Sequence, residues 1–176
     1  MEELELTFLP RYLPEAVKGS RCQKMVDVYL PQSEPHPVIR ARCRGESYEI
    51  TKKVPVSEAD RSYQTEQTIS LTEPEWREFG AFSDKKISKV RYFYREAGYQ
   101  YEIDVFDGEL KGLVLIDVEF AARAEMSAFS KPEWLLADVT QERFIAGGEL
   151  AGKRYVDIAE QLKSHHYQPP EIDLLI

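Results

Sequence analysis

Charged side chains recur two residues apart, one sign at a time, within segments that otherwise read as β-strand. Glu3 and Glu5 begin the series, and Arg40 and Arg42, Lys89 and Arg91, Glu102 and Asp104, and Asp117 and Glu119 continue it. Residues two apart on a strand share a face, so each pair projects to one side while Leu4, Ala41, Val90, Ile103 and Val118 project to the other. A half-buried sheet ordinarily turns an ionic face to water. Here acidic and basic pairs alternate along the chain. That order predicts strands that close on one another, with carboxylates holding a cation and Arg and Lys holding the anion bound to it. A polyphosphate with its metal suits such a lumen.

Strand-like runs fall at 3–9, 24–30, 38–44, 47–54, 64–71, 88–95, 99–106 and 113–121, most of them alternating and bounded by Gly, Pro, Ser or Asp. Arg44-Gly45-Glu46 and Glu96-Ala97-Gly98 mark hairpin turns, and Asp107-Gly108-Glu109 breaks the next pair. Consecutive hairpins make an antiparallel sheet, and this many twisted strands must curl and close. The expected fold is α+β, an eight-stranded antiparallel barrel with flanking helices. Its lumen, lined by long Arg, Lys and Glu side chains, is expected to be hydrated and open at both ends. Thr72 with Glu75 is a capping box, and Ser130 with Glu133 repeats the pattern ahead of Trp134. A longer helix is predicted over 155–163, where Tyr155, Ile158, Ala159 and Leu162 form one apolar stripe expected to pack on the barrel exterior. The end of the chain, with Ile172, Leu174, Leu175 and Ile176, is apolar enough that docking is expected. The whole of 1–176 is expected to be one domain, with the C-terminal helix and tail beginning at about 152.

Hydrophobic residues make up 43% of the 176, enough for a core in one such domain. Bases number 23 against 31 acids, giving a net charge of -8, which disfavours a nucleic-acid surface. Clustered Arg and Lys in a cleft can still capture a small polyanion. No leader-like segment and no run of membrane-spanning length is present, so a soluble cytoplasmic protein with no membrane partner is expected. Cys22 and Cys43 read as small reduced hydrophobes.

These segments, taken in order, resemble the CYTH, or triphosphate tunnel metalloenzyme, family. Glu3-Leu4-Glu5-Leu6-Thr7 stands in the place of its E-x-E-x-K strand. Arg40-Ala41-Arg42 resembles R-x-R, and Ile50-Thr51-Lys52-Lys53 the L-T-x-K strand. Lys89-Val90-Arg91-Tyr92 resembles K-x-R-Y, Glu102-Ile103-Asp104-Val105-Phe106 the E-x-D-x-F strand, and Asp117-Val118-Glu119 the closing E-x-E. Asp138-Val139-Thr140 and Arg143-Phe144 are similar to the family's E-V-T and R-Y. The resemblance implies a tunnel that binds a triphosphate and Mg2+ or Mn2+. Members hydrolyse inorganic triphosphate, thiamine triphosphate or RNA 5′-triphosphates, or cyclise ATP. Carried over by position, Glu3, Glu5, Asp117 and Glu119 would be metal ligands, and Arg40, Arg42, Lys53, Lys89 and Arg91 would grip phosphate. Glu102 and Asp104 would hold those bases, or help bind a second metal and position water.

The residue types suit the task in their own right. Phosphoryl transfer asks a protein for positioning and neutralisation, Arg forks fit phosphate oxygens, and hard carboxylates select a hard cation, leaving water as the nucleophile. Arg42→Ala is therefore expected to weaken triphosphate binding far more than stability. Three departures stand out: Thr7 in place of the first-strand Lys, Thr68 where a second carboxylate is common beside Glu66, and Ala146-Gly147-Gly148 where an Asn usually follows R-Y. A metal-dependent triphosphatase is the leading reading. A polyphosphate- or nucleotide-binding module with little catalysis, or an adenylate cyclase-like member, is the alternative.

Overall fold

The computed structural model describes residues 2–57 and 59–171; the apolar tail 172–176 lies outside them. Nine strands form one antiparallel sheet: β1 (Glu2–Pro10), β2 (Arg21–Leu30), β3 (Ile39–Arg44), β4 (Ser47–Ser57), β5 (Asp60–Leu71), β6 (Lys86–Glu96), β7 (Tyr99–Phe106), β8 (Val114–Phe120) and β9 (Leu135–Asp138). Their order is β5-β4-β3-β2-β6-β7-β8-β1-β9, and β5 returns to β1, so the first eight close into a barrel. One edge of β1 is shared. Its first half pairs with β5 (Glu3↔Gln64) and its second half with β9 (Phe8↔Asp138), which leaves the whole opposite edge to β8. The turn between β6 and β7 has both Ala97 (φ 51°) and Gly98 (φ 88°) in the left-handed region, the conformation whose twist suits a two-residue hairpin.

The outward parity of β1, β6, β7 and β8 is apolar and is covered. Phe8, Tyr92, Tyr101, Ile103, Ile116 and Val118 pack with Val17 of the 3-10 segment Glu15–Gly19, with Phe129, and with Trp134. The short helix α2 (Arg123–Ala128) adds Met126. The capping box at Thr72 is present and opens α1 (Glu73–Ala81), with Thr72 N donating to Glu75 Oε2 at 2.7 Å. The second capping signature fails. Residues 130–134 are not helical, because the chain passes through Pro132 directly into β9, whose pairing with β1 outweighs a local cap. Trp134 anchors that passage, its indole N–H donating to Glu96 Oε2 at 2.7 Å.

Two expectations about the barrel's end are corrected. Leu9, Tyr29, Ile87, Phe106 and Leu115 each lie two residues beyond Thr7, Asp27, Lys89, Asp104 or Asp117 on the same strand, and so share the lumen-facing parity. They pack against Val139, against Leu150 of α3 (Gly147–Leu150) and against Ile158 and Leu162 of α4 (Tyr155–Ser164). The apolar stripe of α4 therefore stoppers the end of the barrel instead of covering its exterior, because the last lumen-facing residue on five strands is apolar and must be buried. The lumen is accordingly not open through that end beneath β2, β6, β7 and β8. On the β3–β5 side its lining does continue, past Pro37, Val38 and Arg61 to Arg143. Tyr167 pins the stopper, accepting from Val114 N at 2.9 Å and donating to Gly112 O at 2.8 Å.

Candidate active site in the tunnel

The lumen encloses about 1080 Å³, and all twelve residues singled out above line it: Glu3, Glu5, Thr7, Arg40, Arg42, Lys53, Lys89, Arg91, Glu102, Asp104, Asp117 and Glu119. Strand register sorts them by sign. On neighbouring β1 and β8, Glu5 lies opposite Glu119 and Thr7 opposite Asp117, so four carboxylates share one wall. Arg40 and Arg42 enter from β3, across the barrel.

The acidic wall is crowded. Burial and the nearby charge of Glu5 push the Asp117 carboxyl up to about 6, and burial together with Glu3 raises Glu119. Thr7 Oγ1 donates to Asp117 Oδ1 at 2.9 Å, which places its hydroxyl in the lumen. Lys53 reaches from β4 to lie 2.8 Å from Glu3 Oε2 and 3.3 Å from Glu5 Oε2. Burial would lower its pKa, but those two carboxylates outweigh burial and raise it. Among the described residues, no three acidic, His or Cys side chains are already gathered as metal ligands. The carboxylates are turned to Lys53 and, through Asp117, to Arg91 at 3.4 Å.

The bases differ in how firmly they are held. Arg42 makes a bidentate pair with Asp27, Nε to Oδ1 at 2.6 Å and Nη2 to Oδ2 at 2.8 Å, and both side chains are at most 5% exposed. Burial alone would raise the Asp27 carboxyl, yet Arg42 holds it well below the usual range. Arg91 forks onto Asp104 at 2.6 and 2.7 Å and also bonds Glu102, while Lys89 bonds Asp104. Burial, with Arg91 and Arg42 close by, lowers the Lys89 pKa despite that partner. Arg40 is held less firmly. Its Nη2 is 3.7 Å from Glu66, beyond hydrogen-bond range, its buried Nε has no hydrogen-bond partner, and its neighbour within the lumen is the Tyr29 hydroxyl.

The departures have structural counterparts. Thr68, where a carboxylate was expected, lies 3.0 Å from the Thr51 hydroxyl and donates to Glu66 at 2.9 Å, so a polar chain lines this wall. Gly147 and Gly148 are dictated by close approach: a Cβ on the first would overlap the Tyr29 hydroxyl, and on the second the Pro37 carbonyl oxygen. Beside them Glu149 gathers His36 at 2.5 Å, Arg143 at 3.0 Å and Lys153 at 3.4 Å, fixing α3 at the tunnel's far end. Asp27 is the residue that sequence reasoning missed. Met25 and Tyr29 flank it on its own face, so the paired-charge pattern does not mark β2.

Fold and lumen together define a class, a closed β-tunnel that gathers carboxylates and guanidinium groups in one cavity. No protein-family model matches the chain. The inorganic triphosphatase of Nitrosomonas europaea is 27% identical over 144 residues, spanning 81% of this chain and 92% of the relative. That of Acetivibrio thermocellus is 32% identical over 74 residues, 42% of this chain and 46% of the relative. A crystal structure of the inorganic triphosphatase NE1496 superposes with a TM-score of 0.63 at 27% identity, covering 85% of this chain and 93% of that one. These likenesses support assignment of the chain to the CYTH, or triphosphate tunnel metalloenzyme, family, whose members are generally divalent-metal dependent.

Proposed function

We propose that the protein hydrolyses inorganic triphosphate in its tunnel with Mg2+ or Mn2+. The observation that carries this reading is the juxtaposition, in one lumen, of a four-carboxylate wall and an array of Arg and Lys. The donor set fits a hard divalent cation: all four groups offer carboxylate oxygens, and Asp117 and Glu119 are raised by burial and then by the like charges of Glu5 and Glu3, both of which a bound cation would offset. Glu3, Glu5, Asp117 and Glu119 would hold the cation, which supplies charge neutralisation at phosphate and acidifies the attacking water. Arg40, which lines the lumen and whose Nη2 stands 3.7 Å from Glu66 and outside any tight pair, is the fork best placed to take phosphate oxygens directly. Arg91 and Lys89, oriented by Glu102 and Asp104, provide a fixed positive surface that needs no reorganisation during reaction. Arg42, held by Asp27, adds charge from below that surface. No helix among the described residues is long and apolar enough to cross a membrane, and a cytoplasmic site of action is part of this proposal.

Orthophosphate release from triphosphate, measured beside binding under the same conditions, tests this reading. Binding without release would favour the polyphosphate-binding alternative. Thr7→Lys is expected to raise turnover by about tenfold, since a cation beside Asp117 that adds about 1.4 kcal/mol of transition-state stabilisation gives that factor. Steady-state kinetics decide it. A variant that binds triphosphate normally without gaining rate would show that Thr7 does not limit the reaction.

A further inference from the structure

Lys53 and a divalent cation want the same oxygens. The ammonium sits 2.8 Å from Glu3 and 3.3 Å from Glu5, and reaches them from β4 across the intervening strand β5. Its side chain is only 20% exposed, so it is held in the lumen with little water to screen it. A cation bound to Glu3 and Glu5 would repel this ammonium at close range and remove the partners that keep it there. The displaced side chain is long, carries three donors on a flexible stem and faces the same lumen as Arg40.

We propose that Lys53 is a resident counter-ion of the metal site, which the incoming divalent cation expels from Glu3 and Glu5 and which then binds the triphosphate. The inference rests on the proposed triphosphate site and adds a consequence: metal and triphosphate bind with positive coupling, since each removes a competitor of the other. Such coupling is reciprocal. Lys53 opposes metal in the absence of triphosphate and assists triphosphate once metal is present. A residue serving only as a phosphate ligand would do the second without the first.

Mn2+ binding to the protein alone, followed by electron paramagnetic resonance, separates the two. Lys53→Gln is expected to bind Mn2+ about tenfold more tightly than the wild type, within the usual range of coupling. Calorimetry at saturating Mn2+ with the imido-bridged analogue of triphosphate is expected to show about tenfold weaker binding by the same variant. Lys53→Met should move both affinities in the same directions, and Lys53→Arg, which keeps the charge, should hold Mn2+ affinity near the wild-type value. Unchanged or weaker Mn2+ binding by both neutral variants overturns the proposal, even if the wild type hydrolyses triphosphate. Tighter Mn2+ binding in a protein that releases no phosphate would uphold the counter-ion and refute the hydrolytic reading instead.

Discussion

Arg42→Ala is expected to lower stability by about 3–5 kcal/mol, the range for removing one partner of a buried ion pair. The cost arises in Asp27, at most 1% exposed, which would lose both hydrogen bonds and the nearest charge compensating its burial. A domain of this kind holds roughly 5–15 kcal/mol in total, so urea unfolding should show a large fall in midpoint at similar slope. The double variant Asp27→Leu with Arg42→Met should regain much of the loss, because a buried pair exchanged for apolar groups of similar volume is often tolerated. An Arg42→Ala midpoint within error of the wild type would mean that the pair contributes nothing to folding. This expectation reverses the one drawn from the R-x-R segment, in which both arginines are phosphate ligands and stability is hardly involved.

Two residues earlier on the same strand face, Arg40→Ala should do the opposite. Its ion pair with Glu66 is long, and Asp27 keeps both hydrogen bonds from Arg42, so the stability change should be well below that of Arg42→Ala. Turnover on triphosphate should fall by about 10²–10³, the typical cost of removing one preorganised donor from a charge-stabilising site. Parallel unfolding and phosphate-release measurements on both variants give a crossed pattern. If Arg40→Ala retains full turnover, the donor for phosphate lies elsewhere on the basic wall.

The contrast between Arg40 and Arg42 shows how far the sequence could be read. Parity two apart put both side chains in a lumen, and every charged pair that marked a strand face does line it. What parity cannot reveal is commitment. Arg42 is tied down because Asp27 lies opposite it across the β2–β3 ladder, and that register depends on a turn and loop of unreadable geometry. Asp27 itself, between Met25 and Tyr29, looks like a stray charge in an apolar strand. Closure of the far end was hidden for a related reason. Leu9, Ile87, Phe106 and Leu115 each end a lumen-facing row, and only the assembled barrel brings them to one level where α4 can cover them. The stripe on α4 was legible, but its docking place was not. β9 was missed because its four residues follow a sequence that also satisfies a helix cap, and only the free edge of β1 decides between the two.

Opposed carboxylates and bases in this tunnel are proposed to cleave a triphosphate with a divalent metal. Orthophosphate released from inorganic triphosphate by the wild-type protein, with Mg2+ or Mn2+ and then with excess chelator, tests it most directly. Steady release with metal, abolished by chelator and restored by added metal, is the predicted result. Calorimetric binding of metal and triphosphate together with release no faster than the protein-free blank would contradict it.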